Sequence, residues 1–139
     1  MRTTTNLDLN DACRLLDGAR ARSSQIGVPM CIAVTDASGT LVAFERMDGG
    51  KVTSVTIAID KAYTAAAAKK ATHEYGTASQ PGAPAYGINT AIGGRLMVVG
   101  GGLPVIVSGE VVGAVGVSSG TPDQDRDVAQ AALDYFGQK

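Results

Sequence analysis

Lys61 stands in a stretch that is otherwise rich in alanine, AIDKAYTAAAA. A lysine that a fold removes from water has a lowered pKa, so Lys61 could act as a base or as a cationic anchor. Thr64 follows three residues later, and residues three apart share one face of a helix. The pair therefore predicts a helix face that points at a ligand or a reacting group.

Arg46 and Asp48 end a strand-like segment directly before Gly49 and Gly50. A guanidinium offers a bidentate fork to a carboxylate, so we predict that Arg46 anchors a carboxylate and that Asp48 belongs to the same site. A surface ion pair between Asp48 or Glu45 and a neighbouring cation would explain the same residues without a ligand.

His73 is the only histidine of the chain and lies near the predicted C-terminal end of a helix. The helix dipole favours a protonated histidine at that end, which is a structural explanation, whereas a proton shuttle is the functional one. Tyr86, in the loop segment PGAPAYGIN, is predicted to cover a pocket. Cys13 and Cys31 have no metal-type spacing and are interpreted as buried free thiols, so we predict no metal site.

Seven of the 18 glycines lie between Val98 and Pro122. The run contains neither GxGxxG nor GK[ST], and it leads into a strand, whereas nucleotide loops lead into a helix. We therefore interpret most of these glycines as positions where backbones approach closely. Gly100–Gly102, with Gly101 and Gly102 foremost, are predicted to line a ligand pocket through their bare amides.

The hydrophobic pattern predicts the order α, β, β, α, long loop, β, β, β, α. The predicted helices are Leu7–Ile26 with Asp8 as N-cap, Ser54–Thr72, and one that begins after Thr121 with a Gln124 capping box. The predicted strands are Met30–Thr35, Thr40–Arg46, Leu96–Val99, Pro104–Val107 and Val111–Val117. The predicted long loop is Thr77–Gly94. Hairpin connections favour an antiparallel sheet, so the prediction is an α+β domain with five strands and helices on both faces.

Composition limits the function classes. The chain has 139 residues, which predicts one domain over residues 1–139, and a net charge of −1, which argues against a nucleic-acid partner. No apolar run is long enough to span a membrane, and the N-terminal segment MRTTTNLDLND lacks an apolar signal core. We therefore expect a cytoplasmic protein with no membrane partner.

Three blocks of the sequence resemble the GlcG/HbpS family, whose relatives include the C-terminal domain of PduO-type proteins: IAVTDASGTLVAFERMDGG, IAIDKAYTAA and GGLPVIVSGEVVGAVGVSSGTPDQD. The resemblance runs from Leu7 to Phe136. It implies a profilin-like three-layer α/β/α sandwich with a five-stranded antiparallel sheet, and a homo-oligomer, tetramer or octamer. The chain departs from the family pattern after Thr64, where Ala68 replaces a common Phe and Ala71 a common Pro, while Thr72 is kept.

Family resemblance leaves several functions open, since some members bind haem and one branch includes a 4-hydroxylaminobenzoate lyase. Our main hypothesis is a protein that binds a small anionic organic molecule, in the form of a lyase or isomerase that needs no cofactor and acts on an aromatic or hydroxy carboxylate. Its predicted catalytic residues are Lys61, His73 and Asp48, and its predicted ligand-binding residues are Arg46, Thr64, Thr72, Tyr86, Gly101 and Gly102.

Two alternatives remain open. The first is a haem-binding or haem-handling protein without committed catalysis, in which His73 or Thr72 lies near the iron and Arg46, Lys51 or Lys69 meets the propionates. The second is a structural subunit, in which the alanine-rich helix face serves assembly only.

Overall fold

The computed structural model describes residues 1–138, so the last residue of the predicted domain, Lys139, lies outside the described part. The elements in chain order are α1 (Leu9–Ile26), β1 (Cys31–Asp36), β2 (Leu41–Arg46), α2 (Thr53–Ala67), α3 (Thr72–Ala78), 3₁₀ turns at Ile88–Thr90 and Ile92–Gly94, β3 (Gly102–Val107), β4 (Glu110–Ser118) and α4 (Pro122–Gly137).

The sheet is antiparallel with the strand order β2-β1-β4-β3, and the prediction of a fifth strand at Leu96–Val99 is wrong. That segment lies over the helices instead of pairing with a strand. The Met97 amide donates to Thr64 Oγ1 at 2.9 Å, and the Val98 carbonyl packs against Gly76 of α3. Its backbone groups therefore find partners outside the sheet, which an apolar pattern of four residues does not reveal.

The second predicted helix is two helices. α2 ends at Ala67, Lys69 adopts a left-handed conformation with φ 55°, and α3 begins at Thr72. His73 therefore lies in the first turn of α3 and not at a helix C-terminus, so the dipole argument for a protonated imidazole does not apply. The predicted loop is shortened, because α3 continues to Ala78 and the 3₁₀ turns occupy part of the remainder.

Both predicted N-caps are confirmed. The Asp8 side chain accepts from the Asp11 amide, and the Thr121 side chain accepts from the Gln124 amide, each as part of a reciprocal capping box. Pro122 occupies the first turn of α4, where its missing amide hydrogen costs nothing. Local sequence thus determines where α1 and α4 begin.

The helices cover both faces of the sheet. α1 and α4 pack on one face around Leu15, Ile32 and Val128, and α2 packs on the other around Cys31 and Ala33. The alanines of α2 let it approach the sheet very closely: a Cβ on Gly116 of β4 would lie 2.1 Å from the Ala58 carbonyl oxygen. No helix within residues 1–138 is long and apolar enough to cross a membrane.

The prediction that both cysteines are buried is half wrong. Cys31 is fully buried at the start of β1, but Cys13 is exposed. Cys13 lies on the outer side of α1, whose inner side carries Ala12, Leu15 and Leu16. The residue type alone does not decide on which side of an amphipathic helix a thiol falls.

Candidate functional site

Gly100–Gly102 enter β3 beside a cluster of polar side chains that come from three different helices. Lys61 reaches the cluster from α2, Thr72 from the start of α3 and Asp125 from the first turn of α4. The cluster lies where α4 begins, at the end of β4, so the tertiary fold gathers residues that are 64 positions apart along the chain.

Lys61 and Asp125 form a buried ion pair. The ammonium Nζ donates to Asp125 Oδ2 and to the Val117 carbonyl oxygen, both at 2.9 Å, and only 2% and 3% of the two side chains are exposed. Asp125 Oδ1 accepts from the Gly120 amide at 2.9 Å. Burial lowers the pKa of Lys61, and the Asp125 carboxylate opposes that shift. The pair ties α2, β4 and α4 together and gives the ammonium no open face toward solvent.

Gly101 and Gly102 make room for side chains of this cluster, and Gly100 makes room for Arg126 of α4. A Cβ on Gly101, whose φ is 127°, would lie 2.8 Å from Lys61 Nζ and 2.5 Å from the Val117 carbonyl oxygen. A Cβ on Gly102 would lie 2.6 Å from Thr72 Cγ2, and one on Gly100 would lie 2.9 Å from Arg126 Cδ. Because these glycines have no side chains, the neighbouring side chains can pack directly against their backbone.

The two threonines proposed for the site use their hydroxyls inside the protein. Thr72 Oγ1 accepts from the Gly102 amide at 2.9 Å. Thr64 Oγ1 accepts from the Met97 amide at 2.9 Å and lies 2.8 Å from the Asp60 carbonyl oxygen, to which it donates. Both side chains are buried, so they hold the segments before β3 in place.

Arg46, Asp48 and Tyr86 lie apart from the glycine triplet. Arg46 and Asp48 are exposed at the end of β2, which is the opposite edge of the sheet from β3. Three strand spacings separate the two edges, a distance of about 14 Å. Tyr86 is 71% exposed in the loop after α3. The structure therefore brings Lys61, Thr72, Gly101 and Gly102 together and leaves these three residues outside the cluster.

The surface ion pair considered for Glu45 is present, since Arg20 donates to Glu45 at 2.6 and 2.8 Å and this contact raises the pKa of Arg20. Arg46 lies beside Cys31, with which it pairs across β1 and β2. Burial raises the pKa of the Cys31 thiol, and the Arg46 charge lowers it by less.

An open groove of about 360 Å³ adjoins the cluster. It is lined by His73, Leu103, Asp123, Arg126, Asp127 and Gln130, from α3, β3 and α4. Among these only His73 was expected from the sequence. The others were missed because Arg126 and its acidic neighbours, in PDQDRD, have the pattern of an ordinary solvated first turn of a helix.

His73 carries an unsatisfied nitrogen. Its Nδ1 atom is buried and has no hydrogen-bond partner within residues 1–138. Burial lowers the pKa of His73, the Arg126 charge lowers it further, and Glu74 raises it by less. The imidazole is therefore held in its neutral form, which is the form that ligates metals and accepts protons.

Arg126 is the cation of the groove. Its neighbour Asp127 is paired with Arg22 at 3.0 Å, whereas Arg126 itself forms no ion pair and no hydrogen bond with any described residue. The guanidinium therefore keeps all of its donors for water or a ligand.

A second, larger groove of about 500 Å³ lies between β3 and the end of α4. Its walls are mostly apolar, and they comprise Arg14, Pro104, Val105, Ile106, Val107, Leu133, Phe136, Gly137 and Gln138. Its one charged group, Arg14, donates to the Phe136 and Gln138 carbonyl oxygens at 3.2 and 2.9 Å. This groove offers no proton carrier and no metal ligand, so the chemistry of the surface is concentrated at His73.

No group of three histidine, cysteine, aspartate or glutamate side chains within residues 1–138 is arranged to hold a metal ion. A lone imidazole beside a cation can serve as one axial ligand to an iron that a macrocycle already holds.

Comparison with known proteins agrees with the resemblance found in the sequence. The family model described as "Haem degrading protein HbpS-like" matches residues 7–134. The chain belongs to the HbpS-like family. The match covers the sheet, the helices up to residue 134 in α4, and all residues of the groove beside His73.

Individual relatives cover nearly the whole chain. A 15.0 kDa protein in the dhaT-dhaS intergenic region of Citrobacter freundii is 43% identical over 132 residues, which are 95% of this chain and 93% of that protein. The crystal structure of Klebsiella pneumoniae protein ORFY is 37% identical with a TM-score of 0.97, and covers 100% of this chain and 96% of that one.

A third similar protein was solved in complex with a ligand. The crystal structure of the PduOC:heme complex is 35% identical with a TM-score of 0.92, and the match covers 96% of each chain. These likenesses establish the antiparallel α+β fold. Haem binding is thereby a property of a relative with the same fold.

Proposed function

We propose that this protein binds haem at the groove beside His73. The observation that carries the proposal is the His73 imidazole on the wall of an open groove, with its pKa lowered and its Nδ1 atom buried and without a hydrogen-bond partner within residues 1–138. The haem complex of the relative PduOC and the HbpS-like family match support haem over the other ligand classes considered from the sequence.

The residues present fit such a group. His73 would supply the axial ligand through its neutral imidazole, and Leu103 an apolar wall. Thr72, the other candidate near the iron, is fully buried and accepts from the Gly102 amide, which favours His73. A groove of about 360 Å³ encloses part of a porphyrin and leaves the rest open, as in a protein that takes up or passes on its ligand. Bound haem would supply a redox-active iron.

Lyase or isomerase chemistry has less support. The Lys61 ammonium is committed to Asp125 and Val117 and is shielded from solvent, so it has no path to a substrate in the groove. Asp48 and Arg46 lie at the other edge of the sheet. The haem complex of PduOC supports the haem alternative over the expectation of a protein without a cofactor.

A haemin titration tests the proposal. Purified protein should give a saturable Soret band at one haem per chain. His73→Ala should shift that band and weaken binding, because the iron loses its axial ligand. Gln130→Ala, which changes the same groove without removing an imidazole, is the matched control and should leave the band in place. A Soret band identical in wild type and His73→Ala would refute ligation at this site.

The tetramer or octamer and the cytoplasmic location remain predictions. Light scattering on the purified protein, with and without haemin, measures the first. A monomer in both states would contradict it.

A further inference from the structure

We infer that Arg126, placed by Gly100, makes the groove select its ligands by their carboxylate groups. The inference rests on the proposed function, because it assigns to Arg126 the recognition of the free carboxylates of a porphyrin in the His73 groove. It concerns a residue that does not ligate the iron, and it is tested by a change in ligand preference.

The first argument is the charge of the groove. Arg126 is unpaired among residues 1–138, and the charge of Asp127 is already matched by Arg22 on α1 at 3.0 Å. Asp123 lies in the first turn of α4, where the helix dipole stabilises a carboxylate. It forms no ion pair with Arg126. With His73 neutral, Arg126 is the one side chain of the groove that can pair with an anion.

The second argument is the position of the Arg126 stem. The methylenes of Arg126 lie against buried Gly100, where a Cβ would come within 2.9 Å of Cδ and 3.1 Å of Cγ. Any side chain at position 100 would push the stem away. Gly100 thus gives room to the methylene stem of Arg126, whose exposed side chain lines the groove.

The third argument is the distance over which Arg126 acts. Arg126 and His73 line the same groove, and the Arg126 charge is one of the causes that lower the pKa of His73. A ligand whose metal meets His73 therefore has its edge within reach of a bidentate donor. Two parallel hydrogen bonds to a carboxylate are the strongest contact that such a donor makes.

The experiment compares haemin with haemin dimethyl ester, which has the same macrocycle and iron but no free carboxylates. Wild type should bind haemin more tightly than the ester. Arg126→Gln should weaken haemin binding by roughly tenfold, leave ester binding unchanged, and keep the Soret position set by His73. Arg2→Gln removes the same charge from the exposed N-terminal segment and should change neither affinity.

Gly100→Ala provides the second test. Only the flexible stem of Arg126 lies within 3.4 Å of the new methyl group, so the fold can keep its backbone while the guanidinium moves. We expect a loss of haemin-over-ester preference in the same direction as in Arg126→Gln. Gly137→Ala, where the new methyl group meets nothing within 4 Å, is the matched control.

The outcomes separate the inference from the function it rests on. Haemin binding that depends on His73 but is indifferent to Arg126 and to esterification overturns the inference and leaves the proposed function standing. If haemin does not bind through His73, the proposed function fails. The thermal midpoints of wild type and Arg126→Gln are then measured with and without benzoate. Stabilisation that Arg126→Gln abolishes then supports the carboxylate anchor, and stabilisation that is absent or equal in both proteins overturns it.

Discussion

Lys61 Nζ lies 2.9 Å from Asp125 Oδ2 in a part of the protein that water does not reach. The two residues belong to helices on opposite faces of the sheet, and their contact passes the end of β4 beside Gly101. The ion pair therefore fixes α4, which carries Arg126 and three other residues of the groove wall, relative to α2. The sequence predicted Lys61 as a candidate base, whereas in the structure Lys61 holds α4 in position through Asp125.

Removing one member of this pair should be costly. Lys61→Met leaves the buried Asp125 carboxylate without its cationic partner, which we expect to lower the free energy of unfolding by about 3–5 kcal/mol. The control is the exposed pair Arg22–Asp127, where Arg22→Met should cost no more than about 1 kcal/mol. Chemical denaturation measures both. Equal losses in the two variants would show that the buried pair has no special role.

Gly101 should tolerate no side chain. Gly101→Ala places a methyl group 2.5 Å from the Val117 carbonyl oxygen at a φ of 127°, so we expect a loss of more than about 3 kcal/mol. Gly82→Ala also imposes a positive φ, 84°, but meets no atom within 4 Å, and should cost about 1–2 kcal/mol. The difference between the two thermal midpoints isolates the steric contribution. If the midpoints agree, the close packing around Lys61 is not as tight as described.

His73 should make stability depend on pH. Its pKa in the folded protein lies below the ordinary value of 6.5, because of burial and the Arg126 charge, with Glu74 opposing. The unfolded state therefore binds the proton more readily, so the contribution to stability is complete above pH 6.5 and is lost as the pH falls through the folded-state pKa. His73→Gln should flatten the stability profile in that range. An unchanged profile in His73→Gln would assign the pH dependence to other groups.

The two thiols should react at very different rates. Cys13 is exposed, whereas Cys31 is fully buried and burial raises its pKa. A disulfide reagent at mildly alkaline pH should therefore modify one thiol per native chain quickly, and two per chain in denaturant. Cys13→Ser should remove the fast phase, and Cys31→Ala should leave it intact. A fast phase that survives in Cys13→Ser would mean that β1 opens readily.

Features that depend on neighbours in sequence were predictable. The caps at Asp8 and Thr121, the hairpin turns and the apolar strands β1 and β4 follow from local hydrogen bonding, turn residues and continuous apolar runs, and they appear close to where the sequence predicted them. The blocks quoted for the family resemblance were sufficient to assign the family. The break between α2 and α3 was not predictable, since the alanines and lysines around Lys69 favour a continuous helix.

What the sequence by itself determined is four of the strands, the helices α1 and α4, the antiparallel sheet and the family, because these depend on apolar patterning, caps and contiguous blocks. Only the tertiary structure decided what the polar residues do. Lys61 could equally face solvent or a carboxylate, and the partner Asp125 is 64 residues away, so no spacing in the chain reveals the contact. The sequence does not reveal the contact between Arg126 and Gly100 either. The space beside a glycine has a function only once the fold shows which side chain packs into it.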